Sequence, residues 1–521
     1  MPARALMILG TASHVGKSLL TAALGRILSD RGFDVAPFKA QNMALNSAAT
    51  PDGLEIGRAQ ALQAEACRVA PSVHMNPVLL KPSSDIGSQV VVRGEVWGQL
   101  TAADYHAHRV EELFPIVVES YRTLAREHDI ILLEGAGSPA EINLKAHDIV
   151  NLRMATAARA RCLLVGDIDR GGVFASLFGT MQLLERRERA RIAGFAINKF
   201  RGDRGLLEPG IAMMEQRLRR PCVGVVPYIP ALGLDEEDGV ALDDRQTPAR
   251  AWRSLRDCTA QDRGRALRIG VVALPHMANF TDFQALAAEP SVEVAFLDTV
   301  KDVRDADVVV LPGTKQTLAD LRWLEAMGIG AVIHDAARES RPVVGVCGGM
   351  QMLGVEIADP LGVEGGGTAP GLGLLPIVTT LRAKKVTVPA TAHWSNLRLF
   401  GQDCGAIEAP GYEIHMGDTT YRDQATPFAQ LRRAGSPSDI PDGAVAANAP
   451  VIGSYLHGLF DGDAFRHAFI TAARHARGLA PPRALTAYAL EREQRLNRLA
   501  ACVAESMDVD QLLGWIGLGG T

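Results

Sequence analysis

The chain has 521 residues, of which 47% are hydrophobic and 22% are charged. This length exceeds what one compact domain usually holds and favours two or three domains. Lys and Arg number 54 against 59 Asp and Glu, giving a formal net charge of -5. That balance argues against nucleic acid as a main partner, because phosphate backbones select clustered positive charge.

The cysteines and the apolar runs exclude other classes. The seven cysteines are scattered and form no Cys-x-x-Cys pair, so neither a disulfide framework nor a zinc site is predicted. No apolar run approaches the roughly 20 residues that span a bilayer, and the first one enters a glycine loop without a cleavage site. We expect a cytoplasmic protein with no membrane partner. Whether it forms a homo-oligomer is left open.

Short apolar runs alternate with longer helical stretches along the chain. The runs lack polar alternation, as expected for parallel strands covered by helices on both faces. The pattern predicts an α/β protein with two doubly wound domains. The first series of predicted strands is 5–9, 34–38, 130–133, 162–166, 194–197 and 223–226. The second series is 268–273, 292–296, 308–311, 343–346 and 451–455.

Breaks in this pattern suggest the domain boundaries. Residues 1–233 form the first domain, and 266–480 form the second. The acidic and Arg/Asp-rich stretch 234–265 is interpreted as a linker whose acidic cluster is a solvated face, with a metal or substrate role as the alternative. Residues 481–521 form a helical extension, which we expect to pack against the second domain.

A phosphate-binding loop follows the first strand. It runs from Gly10 and Thr11 to Gly16, Lys17 and Ser18, one residue longer than the standard G-x-x-x-x-G-K-[ST] spacing. Successive N–H groups at a helix N-terminus favour phosphate. Lys17 would contact the outer phosphates, and the Ser18 hydroxyl would ligate magnesium. A tight strand-to-helix turn without ligand is the alternative.

The loop resembles that of dethiobiotin synthetase and its relatives. The resemblance includes Lys39 after the second strand, the sequence Glu134-Gly-Ala-Gly, and Asn198 at a later strand end. It implies that ATP and Mg²⁺ bind here, with Ser18 and Glu134 as metal ligands and Asn198 at the purine. Asp52 and Glu55 are candidates for a further metal ligand, because magnesium prefers oxygen. A polar turn and helix cap are the alternative for both residues.

A cysteine nucleophile is predicted in the second domain. Cys347 follows a predicted strand within Gly-Val-Cys-Gly-Gly. Small neighbours permit the sharp turn that exposes a nucleophile, and the N-terminus of the following helix favours the thiolate. The N–H groups of Gly348 and Gly313 would stabilise an oxyanion. A buried structural cysteine is the alternative.

His457, at the end of a later strand, is the predicted catalytic base. This order resembles class I glutamine amidotransferases, which place a histidine about 100 residues after the cysteine, and it implies that L-glutamine is a substrate. That class orients its histidine with a glutamate two positions on, where this chain has Leu459. Glu413 and His415 are candidate helpers; structural residues on a strand are the alternative.

Both halves together resemble the cobyrinate amidases. Five segments carry the resemblance, at 39–47, 55–60, 76–81, 148–151 and 167–172. It implies amidation of the four peripheral carboxylates (b, d, e, g) of a corrinoid, adenosylcobyrinic acid a,c-diamide, with four glutamine and four ATP. Candidate substrate residues are Lys39, Gln41, Asn42, Asp148 and Asn151. Simple capping and turning of the backbone is the alternative for these polar residues.

Three rival functions remain at this point. Cobyrinic acid a,c-diamide synthase shares both domains, but the Gln-Asn-Met stretch after Lys39 and the Glu413 context disfavour it. CTP synthase couples similar halves but keeps the glutamate absent here. A ParA-type or other nucleotide-dependent assembly protein would not need the pair Cys347 and His457.

Overall fold

The computed structural model describes residues 3–82, 87–101, 110–230, 232–234, 266–422 and 425–518. The predicted linker lies outside the described residues from position 235 onward. Two compact units are present. The first comprises Met1–Ala44, Glu55–Glu237 and Arg492–Thr521, and the second comprises Leu45–Leu54 and Asp238–Glu491. Both are α/β, as predicted.

The first unit is built on a six-stranded parallel sheet. Its inner strands are almost completely buried because helices cover both faces. All six strands of the first predicted series are present. In spatial order they are Cys222–Pro227, Ile192–Phe200, Arg161–Asp167, Arg4–Gly10, Ile130–Glu134 and Val35–Phe38.

Helices connect these strands. A second, smaller sheet is formed by residues between 41 and 101. The helices are Lys17–Asp30, Arg58–Ala66, Val110–Glu127, Leu152–Ala157, Val173–Leu183, Arg186–Arg189 and Arg204–Leu218, with 3-10 turns Val73–Met75 and Lys145–His147. The smaller sheet consists of Gln41–Met43, Val78–Pro82, Gly87–Val92 and Glu95–Thr101, and Glu55–Gly57 is a further short strand. The sequence pattern did not predict these five strands.

The C-terminal extension is helical, as predicted, but it belongs mainly to the first unit. Its helices are Tyr488–Ser506 and Val509–Trp515. From Arg492 on, their apolar face packs into the core around Leu24 and Ile27. The buried Arg26 donates to Glu493 at 2.5 Å and to Asn497 at 2.9 Å. The expected packing against the second domain is therefore wrong for this part of the chain.

The second unit contains a six-stranded sheet, parallel except for its last strand. All five strands of the second predicted series are present. The order is Val292–Leu297, Leu267–Val272, Val308–Leu311, Val343–Val346, Val451–Ser454 and Ala444–Val445. The helices are Gln284–Ala287, Val300–Arg304, Thr317–Ala326, Ile329–Arg338, Gly348–Leu353 and Asp463–Ala476, with a 3-10 turn at Phe280–Phe283.

A second sheet of this unit is organised around a long antiparallel ribbon, Ile377–Leu399 paired with Gln402–Tyr421. Around it lie Glu356–Asp359, Gly367–Pro370, Ala429–Arg433, Ile440–Asp442 and Leu456–His457. Strand Ser47–Ala49 also belongs to this unit. The ribbon brings Tyr412 opposite His457, so this sheet helps to position the predicted catalytic histidine.

Candidate active sites

The phosphate-binding loop has the backbone shape that the sequence predicts. Gly16 has φ +95° and precedes the helix Lys17–Asp30, a conformation that glycine adopts without penalty. The Lys17 ammonium donates to the carbonyls of Ala12 at 2.9 Å and Gly137 at 3.2 Å. A Cβ on Gly10 would lie 2.9 Å from that ammonium. The lysine is therefore folded against its own loop, and Gly10 leaves room for it.

Glu134 accepts hydrogen bonds from three side chains beside this loop. The Ser18 hydroxyl donates at 2.8 Å, the Lys39 ammonium at 3.1 Å and the Gln63 amide at 2.6 Å. Lys39, predicted to contact substrate, is thus buried against Glu134. Gln63 was not predicted at all. Its helix, Arg58–Ala66, packs against Lys17–Asp30, a contact that the sequence does not reveal.

The oxygen donors here suit a magnesium ion. Ser18 and Glu134 are adjacent, and the buried Oε1 of Gln63 has no hydrogen-bond partner. In the part of the chain that the structure describes, no group of three His, Cys, Asp or Glu side chains could hold a metal. A magnesium ion at this loop would therefore take much of its coordination from phosphate and water, as it commonly does.

Asn198 contacts the loop rather than standing apart from it. Its amide donates to the Val15 carbonyl at 2.8 Å. The neighbouring Lys199, at φ +59°, donates to the His14 carbonyl at 2.6 Å and pairs with Asp167 at 2.9 Å. The end of strand Ile192–Phe200 therefore braces the phosphate loop. The predicted contact of Asn198 with a purine stays a prediction.

Asp148 and Asn151 have structural hydrogen bonds. Asp148 accepts from the backbone N–H groups of Val150 and Asn151, at 2.8 and 3.0 Å. The Asn151 amide both donates to and accepts from the backbone of Ala136, at 2.9 and 3.1 Å. These contacts match the alternative of backbone capping, and they hold the Glu134-Gly-Ala-Gly turn.

The other candidate substrate and metal residues differ in their surroundings. Asn42 is buried and donates to Gln60 at 3.0 Å, whereas Gln41 is half-buried on the same strand. Glu55 forms a buried ion pair with Lys81 at 2.7 Å. Asp52 belongs to the second unit, where it is exposed and accepts from the Thr50 hydroxyl at 2.5 Å. Its role as a magnesium ligand stays a prediction.

Cys347 lies at a strained strand-to-helix turn. Its φ of 51° and ψ of -112° are unfavourable for a residue with a side chain. A Cβ on Gly349 would lie 2.0 Å from the Leu311 carbonyl oxygen, and one on Gly345 would lie 2.6 Å from the Met350 nitrogen. The flanking glycines thus permit the close approach that the turn requires, as the sequence predicts.

The two predicted oxyanion residues border the cysteine. Gly348 is the first residue of the helix Gly348–Leu353, so its N–H has no partner within the helix. A Cβ on Gly313 would lie 3.2 Å from Cε1 of His457 and 3.7 Å from Cβ of Cys347. Gly348 therefore follows the cysteine directly, and Gly313 adjoins both the cysteine and the histidine.

His457 lies beside Cys347, with Gly313 bordering both residues, and it is oriented by Asp282. The Cys347 thiol itself donates to the Ile414 carbonyl at 3.5 Å. Its Nδ1 lies 2.7 Å from Oδ2 of Asp282, while Oδ1 of the same carboxylate accepts from the Gly458 N–H at 3.1 Å. His457 and Asp282 are both buried. The Tyr412 ring stacks on the imidazole with centroids 5.5 Å apart. The three residues form a Cys–His–Asp arrangement of the kind used in nucleophilic catalysis.

The surroundings of His457 favour its charged form. Burial lowers its pKa, but the charge and hydrogen bond of Asp282, together with the Cys347 thiol, raise the pKa to about 10. A protonated imidazole beside the sulfur stabilises a thiolate and stores the proton that a leaving amine needs.

The two candidate helpers, Glu413 and His415, bond to other groups rather than to His457. The carboxylate of Glu413 is bound by Arg433, at 2.5 and 2.8 Å, and by His415 at 3.2 Å. Despite burial, those partners lower the pKa of Glu413 to about 2. His415 stacks on Tyr455 at 3.8 Å. The hypothesis that Glu413 or His415 orients His457 is wrong, because Asp282 does so.

Comparisons with known proteins match both parts of the chain to known domain families. Residues 6–242 match the CobQ/CobB/MinD/ParA nucleotide binding domain, and residues 268–465 match the CobB/CobQ-like glutamine amidotransferase domain. The chain is 48% identical to the cobyric acid synthase of Sorangium cellulosum (strain So ce56), covering 99% of both chains. It is 46% identical to that of Klebsiella pneumoniae (strain 342), covering 98% of this chain and 97% of the other. It is 44% identical to the cobyric acid synthase of Moorella thermoacetica (strain ATCC 39073 / JCM 9320), covering 99% of this chain and 98% of the other.

The chain belongs to the cobyric acid synthase family. This agrees with the resemblance to cobyrinate amidases, and the matches extend over nearly the whole chain rather than one domain. Among the described residues, no helix is both long and apolar enough to cross a membrane.

In this member of the cobyric acid synthase family, Asp282, like Gln63, was not predicted from the sequence. It lies 175 positions before His457, whereas the orienting group was expected two positions after the histidine, where Leu459 stands, or at Glu413 or His415. The signal available was a polar run, Asn279-Phe-Thr-Asp282, shortly after a buried strand end, where open α/β sheets place functional groups.

Proposed function

We propose that this chain converts adenosylcobyrinic acid a,c-diamide to adenosylcobyric acid by amidating the b, d, e and g carboxylates. Each amidation would consume one glutamine and one ATP. The observation that carries the proposal is the set Cys347, His457 and Asp282, in which Asp282 is hydrogen-bonded to the imidazole and Gly313 borders both the imidazole and the cysteine. This set lies in the same chain as a phosphate-binding loop. The relatives' name, cobyric acid synthase, supports the choice of acceptor.

Glutamine hydrolysis would follow the geometry around Cys347. The thiolate attacks the side-chain amide carbon, and the N–H groups of Gly348 and Gly313 stabilise the tetrahedral oxyanion. His457 then gives its proton to the departing nitrogen, so that ammonia leaves and a glutamyl thioester forms. Water, deprotonated by His457, hydrolyses the thioester to glutamate. Asp282 keeps the imidazole in the orientation that serves both steps.

Carboxylate activation would take place at the phosphate loop. A substrate carboxylate attacks the γ-phosphorus of ATP, giving an acyl phosphate and ADP, and ammonia then displaces phosphate to form the amide. Lys17 would release its loop carbonyls to contact the phosphates. A bound magnesium ion, held by Ser18 and Glu134, would supply neutralising charge. Lys39 and Gln63 would hold the Glu134 carboxylate in place.

The corrinoid contacts would come from polar residues of the first unit. Gln41 and Asn42 remain candidates because they follow a strand end of the first unit, near the edge where such sheets place ligands. Asp148 and Asn151 would act through the turn they hold. A cytoplasmic location and the presence of a homo-oligomer stay predictions.

Mass spectrometry of the corrinoid product tests the reaction. The purified protein is incubated with adenosylcobyrinic acid a,c-diamide, ATP, magnesium and glutamine carrying either ordinary or ¹⁵N-labelled amide nitrogen. Each incorporated nitrogen separates the two products by about one dalton, so a separation of about four daltons is expected. Two incorporations into cobyrinic acid, with none into the a,c-diamide, would instead assign the a,c-diamide synthase reaction.

Two variants separate the nitrogen and ATP chemistry. Cys347→Ala should abolish glutamine-supported amidation but retain amidation with free ammonium, because the thiolate acts only on glutamine. Lys17→Ala should lose both, because each route requires the acyl phosphate. Product formation is followed by the same mass spectrometry. Equal loss of both routes in Cys347→Ala would contradict separate sites.

A further inference from the structure

Backbone hydrogen bonds hold the turn that carries Asp282. At its start, the Ala278 N–H donates to the Gly313 carbonyl at 2.9 Å, so the turn adjoins the oxyanion residue. Asn279, in the left-handed region at φ 53°, caps the 3-10 turn Phe280–Phe283, and its carbonyl accepts from the Asp282 N–H at 3.0 Å. Any shift of this turn moves the carboxylate that orients His457.

A segment from the N-terminal part of the sequence closes this turn. The side-chain oxygen of Asn46 accepts from the Phe280 N–H at 3.1 Å, and the Ser47 N–H donates to the side-chain oxygen of Asn279 at 3.0 Å. Both hydrogen bonds are buried. A buried N–H group that loses its partner is destabilising, so these bonds specify the position of the turn.

The same segment supports His457 from a second direction. The Tyr412 hydroxyl donates to the Ser47 carbonyl at 3.1 Å, and the Tyr412 ring stacks on the imidazole of His457. Residues 46 and 47 therefore contact both groups that hold the histidine, namely the Asp282 turn and the Tyr412 ring. Neither residue lies within the stretch 268–465 that matches the glutamine amidotransferase domain.

We propose that Asn46 is a positioning residue of the glutaminase, acting through Phe280 on the turn that carries Asp282 and thus on His457. The inference rests on the proposed glutaminase role of Cys347 and His457. If so, the stretch 268–465 that matches the glutamine amidotransferase domain does not by itself orient the histidine correctly. Segment Leu45–Leu54 supplies the missing contact. This segment belongs to the second unit although it is flanked in sequence by residues of the first.

The test is the steady-state release of glutamate from glutamine by the full-length protein with adenosylcobyrinic acid a,c-diamide and MgATP. Asn46→Ala should lower kcat by about 10- to 10²-fold, because a small displacement of catalytic groups has effects of this size. The KM for glutamine should change by less than about twofold, since Asn46 is proposed to act on the histidine rather than on bound glutamine. Asn46→Asp keeps the accepting oxygen, a good helix-capping group, and should restore most of kcat.

Two further variants complete the design. Tyr412→Phe keeps the ring over His457 but removes the bond to Ser47, and a smaller fall in kcat is expected. Asn396→Ala is the matched control, because it removes an exposed amide that bonds Asp403 at 3.3 Å in the same unit. Ammonium-supported amidation, retained in all of these variants, shows that the protein is folded.

The outcomes are distinct. Wild-type kcat in Asn46→Ala overturns the inference, as does a fall that Asn46→Asp does not restore or that Asn396→Ala shares. Absence of glutamate release from the wild-type protein would instead refute the glutaminase role itself, and the inference with it.

Discussion

His457 depends on a partner that is remote in sequence but adjacent in space. The Asp282 carboxylate accepts from both the imidazole and the Gly458 N–H, so it fixes the ring and the backbone that follows it. The glutamate typical of class I amidotransferases is replaced here by Leu459, which is buried. The carboxylate bonded to Nδ1 of His457 therefore comes from the turn Phe280–Phe283 rather than from the residues that follow the histidine.

Asp282→Asn should lower glutaminase kcat/KM by about 10²-fold or more, because an amide can hold the wrong imidazole tautomer. The charge of Asp282 raises the pKa of His457, so removing it lowers that pKa and the protonated form is lost at lower pH. The alkaline limb of the kcat/KM–pH profile should shift to lower pH, as measured by glutamate release across pH. An unshifted profile at full activity would exclude the role of Asp282, and retained ammonium-supported amidation is the control.

Residue chemistry explains which catalytic groups were predictable. Cys347 and Lys17 lie in short motifs whose backbone shape requires glycine nearby, and the structure has those shapes at Gly349 and Gly16. Asp282 lies in no such motif. Its role arises from the fold, which brings strand ends together, and a single aspartate after a strand does not reveal its partner. Gln63 was missed for the same reason.

At the scale of elements, the cysteine turn is limited by backbone contacts. Gly349→Ala would place a Cβ 2.0 Å from the Leu311 carbonyl oxygen, a contact that no rotamer can relieve. We expect a loss of stability of about 1 to 3 kcal/mol together with loss of glutamine-supported activity. Thermal unfolding and glutamate release measure the two effects.

Gly179→Ala is the matched control, since it lies within helix Val173–Leu183 with open space around the added methyl. Replacing a helical glycine by alanine should be neutral or stabilising by up to about 1 kcal/mol. If Gly349→Ala behaved like this control, the close contact with Leu311 would not constrain the turn.

Strands were predictable from the sequence where burial on both faces makes them continuously apolar. The eleven predicted strands belong to two mainly parallel sheets. Continuous apolar runs such as Val308–Leu311 and Val343–Val346 follow from cover on both faces. The ribbon Ile377–Leu399 with Gln402–Tyr421 was not predicted. Its exposure varies along its length, so no single period marks it.

At the scale of the whole molecule, the C-terminal helix completes the core of the first unit. Leu499 and Val503 are almost fully buried there, with Leu24 and Ile27. The prediction that the extension packs against the second domain relied on sequence proximity, which the chain does not follow. An apolar helix face identifies a buried surface but not the partner that covers it.

Leu499→Ala should destabilise the first unit by about 2 to 5 kcal/mol, the usual cost of truncating a buried leucine. Hydrogen–deuterium exchange should become faster in helix Lys17–Asp30, whereas strands Val308–Leu311 and Val343–Val346 should be unchanged. Leu490→Ala, at a position 67% exposed on the same helix, is the control and should alter neither. Faster exchange confined to the second unit would contradict the assignment of the helix.

The order of the two units along the chain determines whether this enzyme can be cut into two working fragments. The first unit draws on three stretches and the second on two, so they are interleaved rather than consecutive. A single cut in the 235–265 region would give an N-terminal fragment without the helix that contacts Arg26, and a C-terminal fragment without Asn46. Split genes, separately expressed halves and simple domain exchange should therefore fail with this chain, although its two domain matches, at 6–242 and 268–465, suggest a chain that divides between them.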